Sequence, residues 1–131
     1  MSNTSTFTFT VTCTGGNEQK SSTLTQSLTD CTTFEHATTV GASSSVTYTE
    51  TIDISQVKFL FIKADGVITL KGNDDGTPDV TIVLASGHPV VWDADMGTSC
   101  PLGSVDLTSI KFTNATAAGI DVYFLCAQDP A

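Results

Sequence analysis

The chain has 131 residues and a formal net charge of −9, with 14 acidic side chains against 5 basic ones. This length fits one domain, 1–131, that buries its own core. The acidic balance excludes a basic nucleic-acid-binding stripe and argues against docking on an anionic membrane. About one residue in six is Thr, an enrichment typical of β-strands. The composition predicts a single all-β domain.

The first predicted element alternates strictly between threonines and apolar residues from Thr6 to Cys13. Such alternation with period two predicts a strand with one buried face. Phe7, Phe9, Val11 and Cys13 are expected to face the core, because successive side chains of a strand point to opposite faces.

Residues 17–45 are rich in Ser and Thr and poor in large apolar groups. Leu24, Leu28, Cys31 and Phe34 fall at near-helical spacing, but the residues between them are mostly Ser and Thr, which are weak helix formers. We predict an extended or short-stranded excursion here, with a single helical turn as the alternative. Residues 1–45 are therefore expected to be a less regular N-terminal region involved in assembly contacts.

From residue 46 onward the pattern indicates further strands at 46–54, 57–64, 67–71, 80–84, 90–92, 105–113 and 120–126. The strand at 57–64 has consecutive apolar residues from Phe59 to Ile62, which is typical of burial on both faces. Asp65-Gly66 predicts a hairpin turn to the next strand. With the first strand, about eight short strands predict an antiparallel β-sandwich or jelly roll.

The polar stretch 72–79 is the one candidate metal site. It concentrates three carboxylates and one amide oxygen, the hard ligands that Ca²⁺ prefers. Its spacing does not match an EF-hand, and Asp, Asn and Gly favour turns for independent reasons. We interpret it as a solvated turn and predict no metal and no cofactor.

Catalysis by a Cys–His pair would need one of the two histidines, His36 or His88, close to a cysteine such as Cys100. No motif typical of such a pair surrounds these residues. We therefore predict no catalytic residue and no enzymatic activity. Trp92, the only tryptophan, is expected to pack in the core rather than form an exposed platform for sugars.

The cysteines are far apart and include no Cys-x-x-Cys pair: Cys13, Cys31, Cys100 and Cys126. The N-terminus has no basic segment followed by an apolar run, so we predict synthesis in a cytoplasm with free, buried thiols. Two disulfides in an oxidising compartment, in any of three pairings, are the alternative. The glycosylation sequons at Asn3 and Asn114 are interpreted as chance matches.

The segments 57–70, 84–92, 105–114 and 120–126 together resemble a recurring pattern of tailed-phage virion proteins. In this pattern a strand, an Asp-Gly turn and a second strand precede a Gly-x-Pro-x-x-Trp unit, present here from Gly87 to Trp92. The resemblance covers residues 46–128 and leaves out 14–45. It implies a small jelly-roll or sandwich protein of a virion, such as a capsid decoration (cement) protein or a small tail, neck or fibre component. It brings no catalytic residues.

The expected partners are the major capsid protein or other virion proteins, and further copies of the chain in a trimer or dimer. No nucleic acid or membrane partner is expected. We predict that residues 2–40 make the main contacts, because an end strand can add to a neighbouring sheet edge. The predicted partner-binding side chains are Phe7, Phe9, Leu24, Leu28 and Phe34. A carbohydrate-binding or adhesin module is the alternative from another class.

Overall fold

The structure is a computed structural model that describes residues 3–13 and 20–129, with side chains described except at 11–13, 20 and 21. The regular secondary structure of the described residues consists of one short 3-10 turn, Ile54–Gln56, and β-strands. The strands are β1 (Thr4–Cys13), β2 (Lys20–Thr29), β3 (Thr32–Val40), β4 (Ser44–Tyr48), β5 (Val57–Ala64), β6 (Ile68–Gly72), β7 (Val80–Leu84), β8 (Val90–Asp93), β9 (Ile110–Asn114) and β10 (Ile120–Gln128).

Strands β3 to β10 form a sandwich of two four-stranded antiparallel sheets. The β10 sheet has the order β3-β10-β5-β8, and the β9 sheet has the order β4-β9-β6-β7. Every connection between consecutive strands from β3 to β10 crosses from one sheet to the other, except the hairpin from β6 to β7. This strand order is that of an eight-stranded jelly roll. The predicted all-β sandwich or jelly roll is confirmed, and β1 and β2 add a separate two-stranded sheet.

The Asp65-Gly66 turn does not make the predicted hairpin. Strand β5 pairs with β10 and β8, whereas β6 pairs with β9 and β7 in the opposite sheet. Both edges of β5 are therefore occupied, and the chain crosses over the core at this turn. A Cβ at Gly66 would lie 2.9 Å from Ile120 Cδ1, so the crossing packs closely against the start of β10.

Two predicted strands are shorter in the structure. The strand predicted at 46–54 ends at Tyr48, and the strand predicted at 105–113 begins only at Ile110. Between them, Ile52 and Leu107 meet in an isolated bridge, and both side chains are fully buried. Their apolar character therefore reflects burial in the main core rather than membership of a regular strand.

Residues 20–45 are more regular than the sequence suggested. The described residues of this stretch contain β2 and β3 and no helical turn. Side chains along β2 alternate between exposed threonines and the more buried Leu24 and Leu28. Strand β3 pairs with β10 along its whole length and is an edge strand of the sandwich, so the jelly-roll body begins at Thr32. The weak apolar signal arose because β2 has only one covered face and β3 lies at an edge.

The main core lies between the two sheets. Its largest fully buried side chains are Phe112, Phe124, Ile52, Leu60, Ile62, Ile68, Leu70, Leu84, Leu102, Leu107, Ile110 and Val40. A second, smaller cluster lies on the outer face of the β10 sheet and consists of Leu28 of β2 packed with Phe59 and Ala127. The predicted two-sided burial of β5 is confirmed, although Phe61 is only half-buried.

Within the described residues, no helix is long and apolar enough to cross a membrane.

Candidate assembly surface at the N-terminal hairpin

Strands β1 and β2 form a hairpin that lies on the outer face of the β10 sheet. Their pairing runs without a register shift from Thr4↔Thr29 to Cys13↔Lys20. Ten residues in each strand correspond to about 33 Å of ribbon. Among the described strands, each pairs only with the other, so the outward edges of both strands carry unpaired backbone groups.

The inner face of the hairpin is apolar and rests on β5. The ring of Phe7 stacks on Phe59 with centroids 5.2 Å apart, and the ring of Phe9 lies 5.6 Å from Phe61. Leu28 is buried in the same cluster. These contacts join side chains only, because no described strand of the sandwich pairs with β1 or β2.

The hairpin leaves gaps where it meets the sheet. A cleft of about 290 Å³ lies between Phe9 and Tyr123, and a second of about 230 Å³ lies between Leu24 and Met96. Well-packed interiors contain few voids larger than a water molecule. At these two clefts, side chains do not fill the junction between the hairpin and the β10 sheet.

The outer face of the hairpin carries rows of hydroxyl groups. Thr6 faces Ser27 with their side-chain oxygens 3.3 Å apart, and Thr10 faces Thr23 at 3.1 Å. Neither β1 nor β2 contains Asp, Glu or Pro, and Lys20 is the one charged residue in the two strands. On a chain with a net charge of −9, strands β1 and β2 are thus free of carboxylates.

The base of the hairpin is closed by two hydrogen bonds. The N–H of Asp30 donates to the carbonyl of Asn3 at 2.7 Å, and the N–H of Asn3 donates to Asp30 Oδ1 at 2.8 Å. Asp30 has a φ of 54°, in the left-handed region. Only Asp30 and Cys31 separate β2 from β3.

The structure brings four of the five predicted partner-binding side chains together. Phe7, Phe9, Leu24 and Leu28 all lie on the inner face of the hairpin, against their own sandwich. Phe34 is separate, because it lies on β3 and packs against the main core. Within one chain these side chains contact their own domain, and their contact with a partner stays a prediction.

The 72–79 loop uses its oxygens to hold itself. Asn73 Oδ1 accepts from the backbone N–H of Thr108, and its amide donates to Asp79 Oδ2. Asp74 accepts from the N–H of Gly76, and this hydrogen bond is the main cause that lowers the pKa of the Asp74 carboxyl. Within residues 3–13 and 20–129, no three His, Cys, Asp or Glu side chains group in a way that could hold a metal ion.

Within the described residues, the side chains of Trp92 and Asp93 form hydrogen bonds that hold the local loop. Trp92 is buried, as predicted, and its indole N–H donates to the carbonyl of Thr98 at 3.0 Å. His88 is exposed in the turn before β8, and no described hydrogen bond joins it to the half-buried Cys100. Asp93 is buried and accepts from the N–H of Asp95.

A side-chain pair at the edge of the sandwich, not predicted from the sequence, joins β3 to the segment after β4. His36 Nε2 lies 2.6 Å from Glu50 Oε1, and the His36 ring stacks on Tyr48 with centroids 3.7 Å apart. Glu50 Oε2 is buried and has no hydrogen-bond partner among the described residues. The two residues are 14 positions apart, so no local pattern could have revealed their contact.

Burial raises the pKa of one described thiol and hides the asparagine of one glycosylation sequon. Among the described side chains, Cys31, Cys100 and Cys126 form no disulfide, and burial raises the pKa of Cys126 to about 12. The side chain of Cys13 lies outside the described residues. Asn114 is buried, and its amide donates to the carbonyls of residues 40, 41 and 118, so the folded sequon does not present its nitrogen to solvent.

Comparisons with known proteins identify no family. No family model matches the chain, and a search of curated proteins finds no match. Among solved structures, the chain is similar to a Bacillus endospore appendage protein, described as one of a novel family of disulfide-linked pili. The identity is 16%, with 76% of this chain and 87% of that chain covered and a TM-score of 0.46.

It is also similar to a de novo designed double-stranded β-helix, at 18% identity and a TM-score of 0.44. That likeness covers 71% of this chain and 97% of the designed chain. Likenesses at this level carry no argument about function, and the resemblance to virion proteins stays a prediction.

Proposed function

We propose that this chain is a non-enzymatic structural protein of a virion, a capsid decoration protein that stabilises the phage head by binding the major capsid protein. The observation that supports an assembling protein is the β1–β2 hairpin, which has two long edges that no described strand covers. The virion itself is inferred from the sequence resemblance.

Open strand edges are usually protected in monomeric proteins by charges, proline, bulges or very short strands. Of these features the hairpin has a single charge, Lys20 at the start of β2: both strands are ten residues long, neither contains proline, and their register is continuous. Such an edge is suited to strand addition, in which main-chain hydrogen bonds supply affinity and alternate side chains supply specificity.

Charge also favours the hairpin as the contact region. Like charges that face each other across an interface oppose association, and this chain carries a net charge of −9. Neither β1 nor β2 contains a carboxylate, so a partner or a second copy can approach these two strands with little repulsion.

Deletion of residues 1–29 tests this proposal. A deletion of residues 1–40 would also remove β3 and open the sandwich, so the cut belongs before Thr32. We expect the shortened chain to stay soluble and β-rich by circular dichroism and to stop co-sedimenting with phage heads or expanded capsids. Undiminished co-sedimentation would contradict the role of the hairpin.

A point variant separates strand addition from general loss of the hairpin. Lysine on an edge strand discourages addition of a further strand. Thr8→Lys, at an exposed position of β1, should weaken capsid binding while the chain keeps its melting temperature. Thr81→Lys, at an exposed position of the edge strand β7, is the matched control and should bind as wild type.

A groove on the outer face of the β10 sheet favours the second candidate, a carbohydrate-binding module. It encloses about 560 Å³ and is lined by Tyr123, Lys63, Asp65 and Asp121, among others. Sugars are bound by aromatic faces combined with polar groups that fix orientation. A glycan array compared with the Tyr123→Ala variant tests it: array signals that disappear in the variant would support this candidate over the capsid role.

A further inference from the structure

We infer that the hairpin is exchanged between two copies of this chain, so that β1 and β2 of one copy cover Phe59 and Phe61 of the other. This inference rests on the proposed function, since it names a second copy as the partner of the same hairpin. The exchange requires only that the chain opens between β2 and β3.

The contacts between hairpin and sandwich can form within a chain or between chains. They consist of side chains such as Phe7 against Phe59 and Phe9 against Phe61, with no strand pairing between the two parts in the described structure. An exchanged hairpin would make the same contacts on the neighbouring copy. The two arrangements therefore differ mainly at the hinge, which is the condition under which exchange of an element is a low-cost route to a dimer.

The hinge favours opening. It consists of Asp30 and Cys31, and Asp30 is held at a φ of 54°. Asp adopts this left-handed conformation more readily than most residues with a side chain, so the hinge carries a modest strain, and short hinges under strain promote exchange. Relaxation of the Asp30 φ turns the N–Cα bond, so the hydrogen bond from the Asp30 N–H to the Asn3 carbonyl survives opening, whereas the one from the Asn3 N–H to Asp30 Oδ1 is lost.

The clefts beside the hairpin are consistent with exchange of the hairpin between copies. With a hinge of two residues, the chain has little freedom to adjust how its own hairpin sits, and clefts of about 290 and 230 Å³ remain at the junction. When the hinge is extended and the hairpin belongs to another copy, the hinge no longer restricts how the hairpin sits on the sheet.

Cross-linking of mixed chains tests the exchange directly. Ser22 of β2 and Met96 of the loop after β8 line the same cleft, and both are exposed. Chains with Ser22→Cys and chains with Met96→Cys are refolded together and treated with a short bismaleimide. Exchange predicts a cross-link between the two introduced thiols on different chains, identified by mass spectrometry. Wild type treated alike controls for the native thiols.

The double variant Ser22→Cys/Met96→Cys shows that the reagent can span the cleft. If it cross-links within one chain while the mixed single variants give no linked peptide at any concentration, the exchange is wrong.

Hinge variants provide a second measurement, the fraction of dimer by light scattering at a fixed concentration. Asp30→Val makes the left-handed hinge more costly and should favour the dimer by about tenfold for each hinge. Asp30→Gly removes that cost and should favour the monomer. Equal dimer fractions in wild type and both variants would overturn the inference, and if Asp30→Val does not fold, Asp30→Gly and the cross-link decide.

The double variant cross-linked within one chain also distinguishes this inference from the proposed function. If the locked chain still joins capsids, the hairpin acts without exchange and the proposed function stands. If wild type forms exchanged dimers but does not join capsids, the exchange stands and the capsid role is wrong.

Discussion

Truncation of Phe59 should release the hairpin without unfolding the jelly roll. Phe59 is 3% exposed and lies on the outer face of β5, where Phe7 stacks on it. It belongs to the small outer cluster and not to the core between the sheets. Phe59→Ala therefore removes the floor on which the hairpin rests and leaves the inter-sheet core complete.

The expected magnitude follows from burial. Truncation of a buried Phe to Ala costs ~3–5 kcal/mol. The hairpin contributes one fully buried apolar side chain, Leu28, and partly buried ones that include Phe7 and Leu24. At ~1.5–3 kcal/mol for each fully buried side chain, their sum is about 5 kcal/mol, as an upper bound. The free energy lost in Phe59→Ala is thus comparable with the total free energy that holds the hairpin against the sheet.

Native-state hydrogen exchange measures this effect strand by strand. In Phe59→Ala, amides of β1 and β2 should lose protection by about a hundredfold or more, while amides of β5 and β10 change little. Phe112→Ala is the matched control, because Phe112 is a fully buried Phe between the sheets. It should lower protection in every strand of the sandwich. A uniform loss of protection in Phe59→Ala would show that hairpin and sandwich unfold as one unit and would contradict this prediction.

Three further predictions concern buried polar groups and a thiol. The pKa of the Cys126 thiol is raised from 9.0 to about 12 in the folded chain, so as the pH rises the unfolded chain loses this proton first. The free energy of unfolding is therefore retained below pH 9 and falls between pH 9 and pH 12. Denaturant titrations at several pH values should show a smaller fall in Cys126→Ala. Asn114→Asp replaces three amide-to-carbonyl hydrogen bonds by repulsion and should cost about 3 kcal/mol or more by urea denaturation, whereas a loss below about 1 kcal/mol would show that the network is dispensable. His36→Ala leaves the Glu50 carboxylate without its described partner and should cost about 1–3 kcal/mol; adding Glu50→Gln should recover part of the loss, and additive costs in this double-mutant cycle would contradict the coupling.

Local pattern was enough to predict which segments are strands where one or both faces are buried. The alternation around Phe7 and Phe9 predicted β1, and the apolar run from Phe59 to Ile62 predicted a strand covered on both sides. Burial of Trp92 followed in the same way from its place at the end of an apolar strand. These features are visible in the sequence because side-chain period and burial act on neighbouring residues.

Only the tertiary structure decided which strands pair and what covers each face. The Asp65-Gly66 turn is compatible with a hairpin and with a crossing, and the chain crosses because the edges of β5 are taken by β8 and β10, which lie far along the sequence. The contact of His36 with Glu50 and the placement of the hairpin on Phe59 depend in the same way on residues brought together across the fold. Strand partners are chosen by the edges that remain open and by the shared burial of apolar faces, and both are properties of the assembled sheets rather than of any one segment.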